Sequence, residues 1–167
     1  RHTRSCLKSR GLGDVYKRQY VDRDNQRRRP IMIHRTVLGS IERFFGILIE
    51  HFAGKYPLWL APVQAVVLPI NDDLAPYAGE VRDGLLDAGL RVELDDRAES
   101  LNKKVRESQL RQIPLILTIG AKEQAAGTLS VRTLDGNVRY GVAREAFLDT
   151  VQAHIRDRKL DLTIFGD

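Results

Sequence analysis

The sequence predicts an α/β fold: a mixed five-stranded sheet covered by helices, preceded by a separate strand and helix. Three observations predict it. From Val63 onward, short apolar runs alternate with stretches of helical periodicity, in the order β-α-β-α-β. Asp135-Gly136-Asn137 then supplies a hairpin signal between two further strand-like runs, and an amphipathic helix follows. Finally, Lys55 to Pro62 is aperiodic and bounded by prolines, which marks a domain boundary.

The first 19 residues stand apart. They show neither a helical nor a strand period, and Gly11 and Gly13 interrupt them. They hold six basic residues against one acid, while residues 20–167 hold 21 of each. The formal net charge of +5 therefore belongs to the tail and says nothing about the body. Residues 1–19 read as an unmatched basic tail, disordered or similar to a spurious translated end, and are set aside. The only Met is Met32, so the chain is expected to be a fragment of a longer protein. The only Cys is Cys6, which excludes a disulfide, a cysteine zinc cluster or a cysteine nucleophile in the body. The longest uncharged run, Tyr56 to Asn71, is 16 residues and contains three prolines. A membrane-spanning helix needs about 20 apolar residues.

The remaining elements follow in order. Tyr20 to Pro30 is polar and reads as a turn or hairpin tip. Ile31 to Leu38 reads as a strand, rich in β-branched residues. Gly39-Ser40 stops it, and Ser40 suits the N-cap of a helix whose apolar face is Ile41, Phe44, Phe45, Leu48, Ile49 and Phe52. Gly54 would terminate that helix. Trp59 is expected to pack at the junction. Ala65 to Ile70 is a buried strand. Asp72 or Asp73 would cap a helix running to Ala88, with Gly89 as its stop. Arg91 to Leu94 is a strand, Ser100 to Gln112 a charged helix, and Leu115 to Ile119 a strand ended by Gly120. A helical turn covers Ala121 to Ala126. Strands Leu129 to Thr133 and Val138 to Val142 flank the hairpin turn. Ala143 to Lys159 is the last helix, with Phe147, Val151 and Ile155 as its core stripe.

Two constellations could carry chemistry. In the first, Gly39 and Ser40 lie where a strand hands over to a helix, and Arg43 lies in its first turn. Helix N-termini favour anions, and a guanidinium can grip a phosphate through two parallel donors. The same residues also describe a capped core helix with a surface arginine. His34, just before Arg35, is as a lone histidine more often structural than a ligand, since zinc needs three or four ligands. The second constellation runs from Asp95, Arg97 and Glu99 through Lys103, Lys104, Arg106 and Arg111 to Lys122, Glu123 and Arg132. It reads either as a solvated helix laced with charge pairs or as a surface for single-stranded RNA. In the RNA reading the cations hold phosphates, and Glu123 accepts from a base N–H.

The stretch HRTVLGSIERFFGILIEH, His34 to His51, resembles motif 3 of the class II aminoacyl-tRNA synthetases in its threonyl form. The likeness continues through Trp59 to Gln64 and into a domain similar to the class II anticodon-binding domain. It divides the chain into residues 1–19 (tail), 20–61 (catalytic-domain remnant with motif 3) and 62–167 (anticodon-binding domain).

The resemblance implies activation of threonine by ATP, with Mg, and transfer to threonine tRNA. Arg43 would be the motif 3 arginine, contacting ATP and offsetting charge as the threonine carboxylate attacks the α-phosphate. Gly39 and Ser40 would line the adenylate pocket. His34 matches a zinc ligand whose partners lie upstream of this chain, and that zinc would hold the threonine amine and hydroxyl. Arg106, Glu123 and Arg132 match positions that read anticodon bases, and Arg97, Glu99 and Lys122 match more weakly. The resemblance further implies a cytoplasmic, homodimeric parent with no membrane partner. The parent would be a ligase, and this fragment alone inactive. The competing reading is a non-catalytic module of the anticodon-domain type that binds RNA or a partner. The strand and helix from Ile31 to His51 argue against it, because a pure binding module has no need for them; the helix's apolar face expects a catalytic-domain sheet, so Phe44, Phe45, Leu48 and Ile49 should form an exposed patch here.

Overall fold

The computed structural model describes residues 19–31, 35, 37–161 and 164. The chain divides into two units between Phe44 and Phe45. In the first, β1 (Tyr20–Val21) pairs antiparallel with β2 (Arg27–Arg28), which is the expected hairpin. Asn25 takes a left-handed conformation at φ 58° and donates its N–H to the Asp22 carbonyl at 2.9 Å. Asn tolerates this region better than most residues, because its short amide can bond locally. Arg28 pairs with Asp22 at 2.9 Å and Asp24 at 3.5 Å, so part of the arginine run is neutralised within its own turn.

The strand expected over 31–38 falls partly on Met32, Ile33, His34 and Thr36, which lie outside the described residues. Val37 and Leu38 sit in bends and not in a strand. A strand needs a neighbour for its backbone groups, and no described strand pairs here.

α1 (Ile41–Phe52) crosses the division. Ser40 caps it as expected. Its carbonyl accepts from the Phe44 N–H at 3.0 Å, and its Oγ accepts a long 3.5 Å bond from the Arg43 N–H. The Ser40 hydroxyl also donates to the Glu42 carboxylate, which holds that carboxyl below its ordinary range. The helix ends one residue earlier than expected. Ala53, at φ 49°, already turns left-handed, and Gly54 N–H closes on the Ile49 carbonyl at 3.3 Å. No residue of α1 is buried, and Phe45 and Ile49 are 56% and 54% exposed. Phe44, Leu48 and Phe52 are half-buried, so the apolar face expected to be exposed is open only in part.

The sheet unit starts from β3 (Ala65–Pro69), which is buried at every position. Only a strand covered on both faces supports such a run. A single 3-10 turn (Asp72–Leu74) leads into α2 (Ala75–Asp87). The cap expected from Asp72 or Asp73 is not made. The extra turn carries both aspartates past the cap position, which Leu74 occupies. Pro76, with no N–H to satisfy, opens the helix instead.

β4 (Val92–Leu94) and β5 (Leu115–Ile119) flank β3 in parallel, with α3 (Leu101–Leu110) between them in sequence. α4 (Ala121–Ala126) follows, then β6 (Thr128–Thr133), β7 (Val138–Ala143) and α5 (Arg144–Arg156). β5–β6 and β6–β7 are antiparallel, and the sheet order is β4-β3-β5-β6-β7. This is the predicted mixed five-stranded sheet. β5 and α4 have the predicted bounds, and the other elements differ by a few residues at their ends.

Alternation along the strands separates two cores. One face carries Ala65, Val67, Leu115, Leu117, Ile119, Leu129 and Val131 against Val81 and Leu85 of α2 and Phe147 and Val151 of α5. The opposite face carries Val66, Leu68 and Ile116, covered by Leu101 and Val105 of α3. No residue of β6 or β7 joins that second core. Their half of this face is left to polar side chains.

The first core reaches back to Leu58. Gln64, which is buried, donates to the Leu58 carbonyl at 2.9 Å and accepts from the Arg91 N–H at 2.9 Å. Arg91 then donates to the carbonyls of Ala61 and Trp59, both at 3.0 Å. Two side chains thus satisfy a loop that has no ladder of its own.

Candidate nucleic-acid interface

The uncovered half of the second face forms a groove of about 330 Å³. Alternation puts Ser130 and Arg132 of β6 on it, since Leu129 and Val131 point to the first core. Thr118 joins them opposite Ser130, and Val138 opposite Arg132. Asn102 and Val105 of α3 form one wall, and Glu123 of α4 closes an end.

Tyr140 lies on the groove face by alternation with Val138, and a β-bulge follows it. Leu129 pairs with Val142, yet Val131 pairs with Arg139, so Tyr140 and Gly141 together oppose Ser130. Gly141 takes φ +68°, which a side chain would resist. The extra residue turns Val142 onto the first core while Val138 and Tyr140 stay on the groove side.

Glu123 is fixed by its own helix end. Its Oε2 accepts the Gly120 N–H at 3.1 Å. A Cβ on Gly120 would lie 2.8 Å from that oxygen and 3.0 Å from the Ile70 Cδ1, so a larger residue here would have to move the Glu123 carboxylate. Oε1 keeps no partner among the described residues and remains free to accept. Arg132, half-buried, has no carboxylate partner among the described residues. Arg106 lies one turn after Asn102 on α3, and Lys122 directly precedes Glu123. Both are exposed.

Arg97 and Glu99 are placed differently. Arg97 lines a separate cleft of about 280 Å³ with Glu93, Asp95, Glu107 and Arg111. It pairs with Asp95 at 2.7 Å and Glu107 at 2.6 Å, and Arg111 pairs with Glu93 at 2.8 Å. The Arg97 guanidinium holds the Asp95 carboxyl below its ordinary range, and the two carboxylates push Arg97 further up. Glu99 pairs with Lys103 at 2.6 Å, which lowers the Glu99 carboxyl and raises the lysine. Buried Lys104 donates to the Asp95 carbonyl at 3.1 Å. The structure therefore brings Glu123 and Arg132 together and keeps Arg97 and Glu99 apart from them. Asn102, Ser130 and Tyr140 were not anticipated as groove residues. The sequence signal for Tyr140 was the Gly141 beside it, inside a strand.

Residues 64–154 match the family described as the anticodon binding domain, which is more than half of the chain. The chain belongs to the anticodon-binding domain family. Threonine–tRNA ligase of Desulfatibacillum aliphaticivorans is 65% identical over 154 residues, which is 92% of this chain and 24% of that protein. The same ligase of Desulfosudis oleivorans is 58% identical over 155 residues, 93% of this chain and 24% of that protein. The chain thus spans about a quarter of the length of these curated relatives. Among solved structures, the RNA binding domain of threonyl-tRNA synthetase from Cryptosporidium parvum Iowa II matches with a TM-score of 0.64 and 35% identity. That match covers 85% of this chain and 36% of the other. In this domain the groove sets Arg132, which has no carboxylate partner among the described residues, near Glu123, one of whose oxygens is bonded to the Gly120 N–H.

Among the described residues no group of three His, Cys, Asp or Glu could hold a metal, and His34 lies outside them. No helix among them is long and apolar enough to cross a membrane.

Proposed function

We propose that this chain is the C-terminal part of a threonine–tRNA ligase and that the groove reads the anticodon of threonine tRNA. The observation that carries this reading is Arg132 without an internal carboxylate, beside a Glu123 with one free oxygen. A guanidinium offers two parallel donors to a guanine edge or a phosphate, and a carboxylate accepts from a base N–H. Arg106 and Lys122 supply phosphate contacts at the rim. Arg97 and Glu99 make the smaller contribution, because their charges are already answered within the chain.

The parent protein activates threonine with ATP and works as a homodimer. In that protein Arg43 offsets charge at the α-phosphate, with Gly39 and Ser40 lining the adenylate pocket. The cap geometry at Ser40, with Arg43 exposed in the first turn, supports this placement. This chain alone is expected to give no threonine-dependent ATP–pyrophosphate exchange.

The test is binding of a fluorescent threonine tRNA anticodon stem-loop to this chain. Tighter binding than to a stem-loop with a scrambled anticodon is expected. Equal binding to both would favour a non-catalytic RNA-binding module, and threonine-dependent exchange would overturn the inactivity.

A further inference from the structure

We propose that Tyr140 is a stacking platform for one unpaired base of the bound RNA, a role that rests on the groove being the RNA site. The ring is 76% exposed, although it sits mid-strand in a well-formed sheet. It belongs to neither apolar core and has no aromatic neighbour among the described residues. Folding therefore gains little from it. Alternation with Val138 places it on the groove face, and the bulge that follows returns Val142 to the core, so Tyr140 is the last side chain of β7 on that face.

The surroundings suit a base. Tyr140 lines the groove together with Arg132, Ser130 and Val138. Arg132 and Val138 are paired in register two residues back along β7, and Ser130 faces the bulge. The same face thus offers a cation near the ring. The flat π-face accepts any base, while Arg132 and Glu123 supply the choice. The division of labour is specific: Tyr140 contributes affinity with little sequence preference, and its neighbours contribute discrimination.

The experiment compares Tyr140→Ala, Tyr140→Phe and Arg132→Ala in binding the threonine tRNA anticodon stem-loop, with melting temperatures measured alongside. Tyr140→Ala is expected to weaken binding roughly 5- to 150-fold, the range for loss of one stacked base. Tyr140→Phe is expected to stay within about twofold, since the ring is kept. A stem-loop abasic at the stacked position should erase the difference between wild type and Tyr140→Ala. If Tyr140→Phe falls as far as Tyr140→Ala, the hydroxyl and not the ring makes the contact, and the proposal is overturned. If Arg132→Ala weakens binding while Tyr140→Ala does not, the stacking role fails and the groove reading stands. If neither weakens binding, both fail.

Discussion

The groove over β6 and β7 and the cleft around Arg97 are built from the same kinds of residue, yet they differ in what answers their charges. In the cleft Arg97 is held by Asp95 and Glu107, and Arg111 by Glu93. In the groove Arg132 has no carboxylate among the described residues, and Glu123 spends only one oxygen on the chain. Cations that are neutralised internally must break a bond before they can grip RNA. Those that are not meet phosphate or base at once. On the proposed reading, unmet hydrogen-bonding capacity marks the RNA surface, and the count of basic residues does not.

The largest expected effect comes from Arg132→Ala. It should weaken stem-loop binding about 5- to 150-fold, in line with ~1–3 kcal/mol for a bidentate contact, with little change in melting temperature. Arg132→Lys should recover only part of the loss, because a single ammonium cannot replace the fork. Full recovery would reduce the groove to a simple charge site.

Next comes Gly120→Ala. The new Cβ displaces Glu123 Oε2 and Ile70, so the helix cap is lost at a cost of about 1 kcal/mol. Both melting temperature and RNA affinity should fall. A drop in stability with unchanged affinity would remove Glu123 from the interface.

Arg97→Ala is expected to leave RNA affinity within about twofold and to lower stability only slightly, as for solvent-screened ion pairs. A large loss of binding would erase the contrast between groove and cleft.

The smallest effect is in the acid range. Asp95 is held below its ordinary value chiefly by Arg97, and Glu99 by Lys103. A carboxyl depressed on folding contributes stability above its unfolded value and loses it as pH falls through its folded value. Wild type should therefore lose more stability than Arg97→Ala on acidification below the ordinary carboxylate range, and the gap between them should narrow. A gap that widens would contradict the pairing.

Much of the sheet was legible because each strand is punctuated. Pro114 and Gly120 bracket Leu115–Ile119, and Gly89 closes the helix before Val92. Periodicity gave the apolar face of α1, and the resemblance gave the expectation that Phe45 and Ile49 on it are exposed. The shape of the groove followed from neither. Strict alternation through Val138, Tyr140 and Val142 places all three on one face, whereas the bulge sends Val142 to the core. A period-2 reading has no place for an inserted residue. The pairing of Arg97 with Glu107 was hidden for another reason. One sits in a loop and the other two turns into α3, so only the fold brings them together. The missing cap at Asp72 or Asp73 has a similar origin, because a 3-10 turn is nearly invisible in sequence.

The bulge at Gly141 has one more consequence. β7 is an edge strand, with one row of backbone donors and acceptors left without a neighbouring strand. Such an edge invites a second copy to extend the sheet, and repetition of that event builds an aggregate. At Tyr140 and Gly141 the spacing of that row is broken, so an incoming strand cannot stay in register for more than a few residues. The opposite edge, β4, is only three residues long. The sheet therefore ends on both sides in ways that discourage its own growth, and this chain is expected to remain dispersed at concentrations where a flat-edged variant would precipitate.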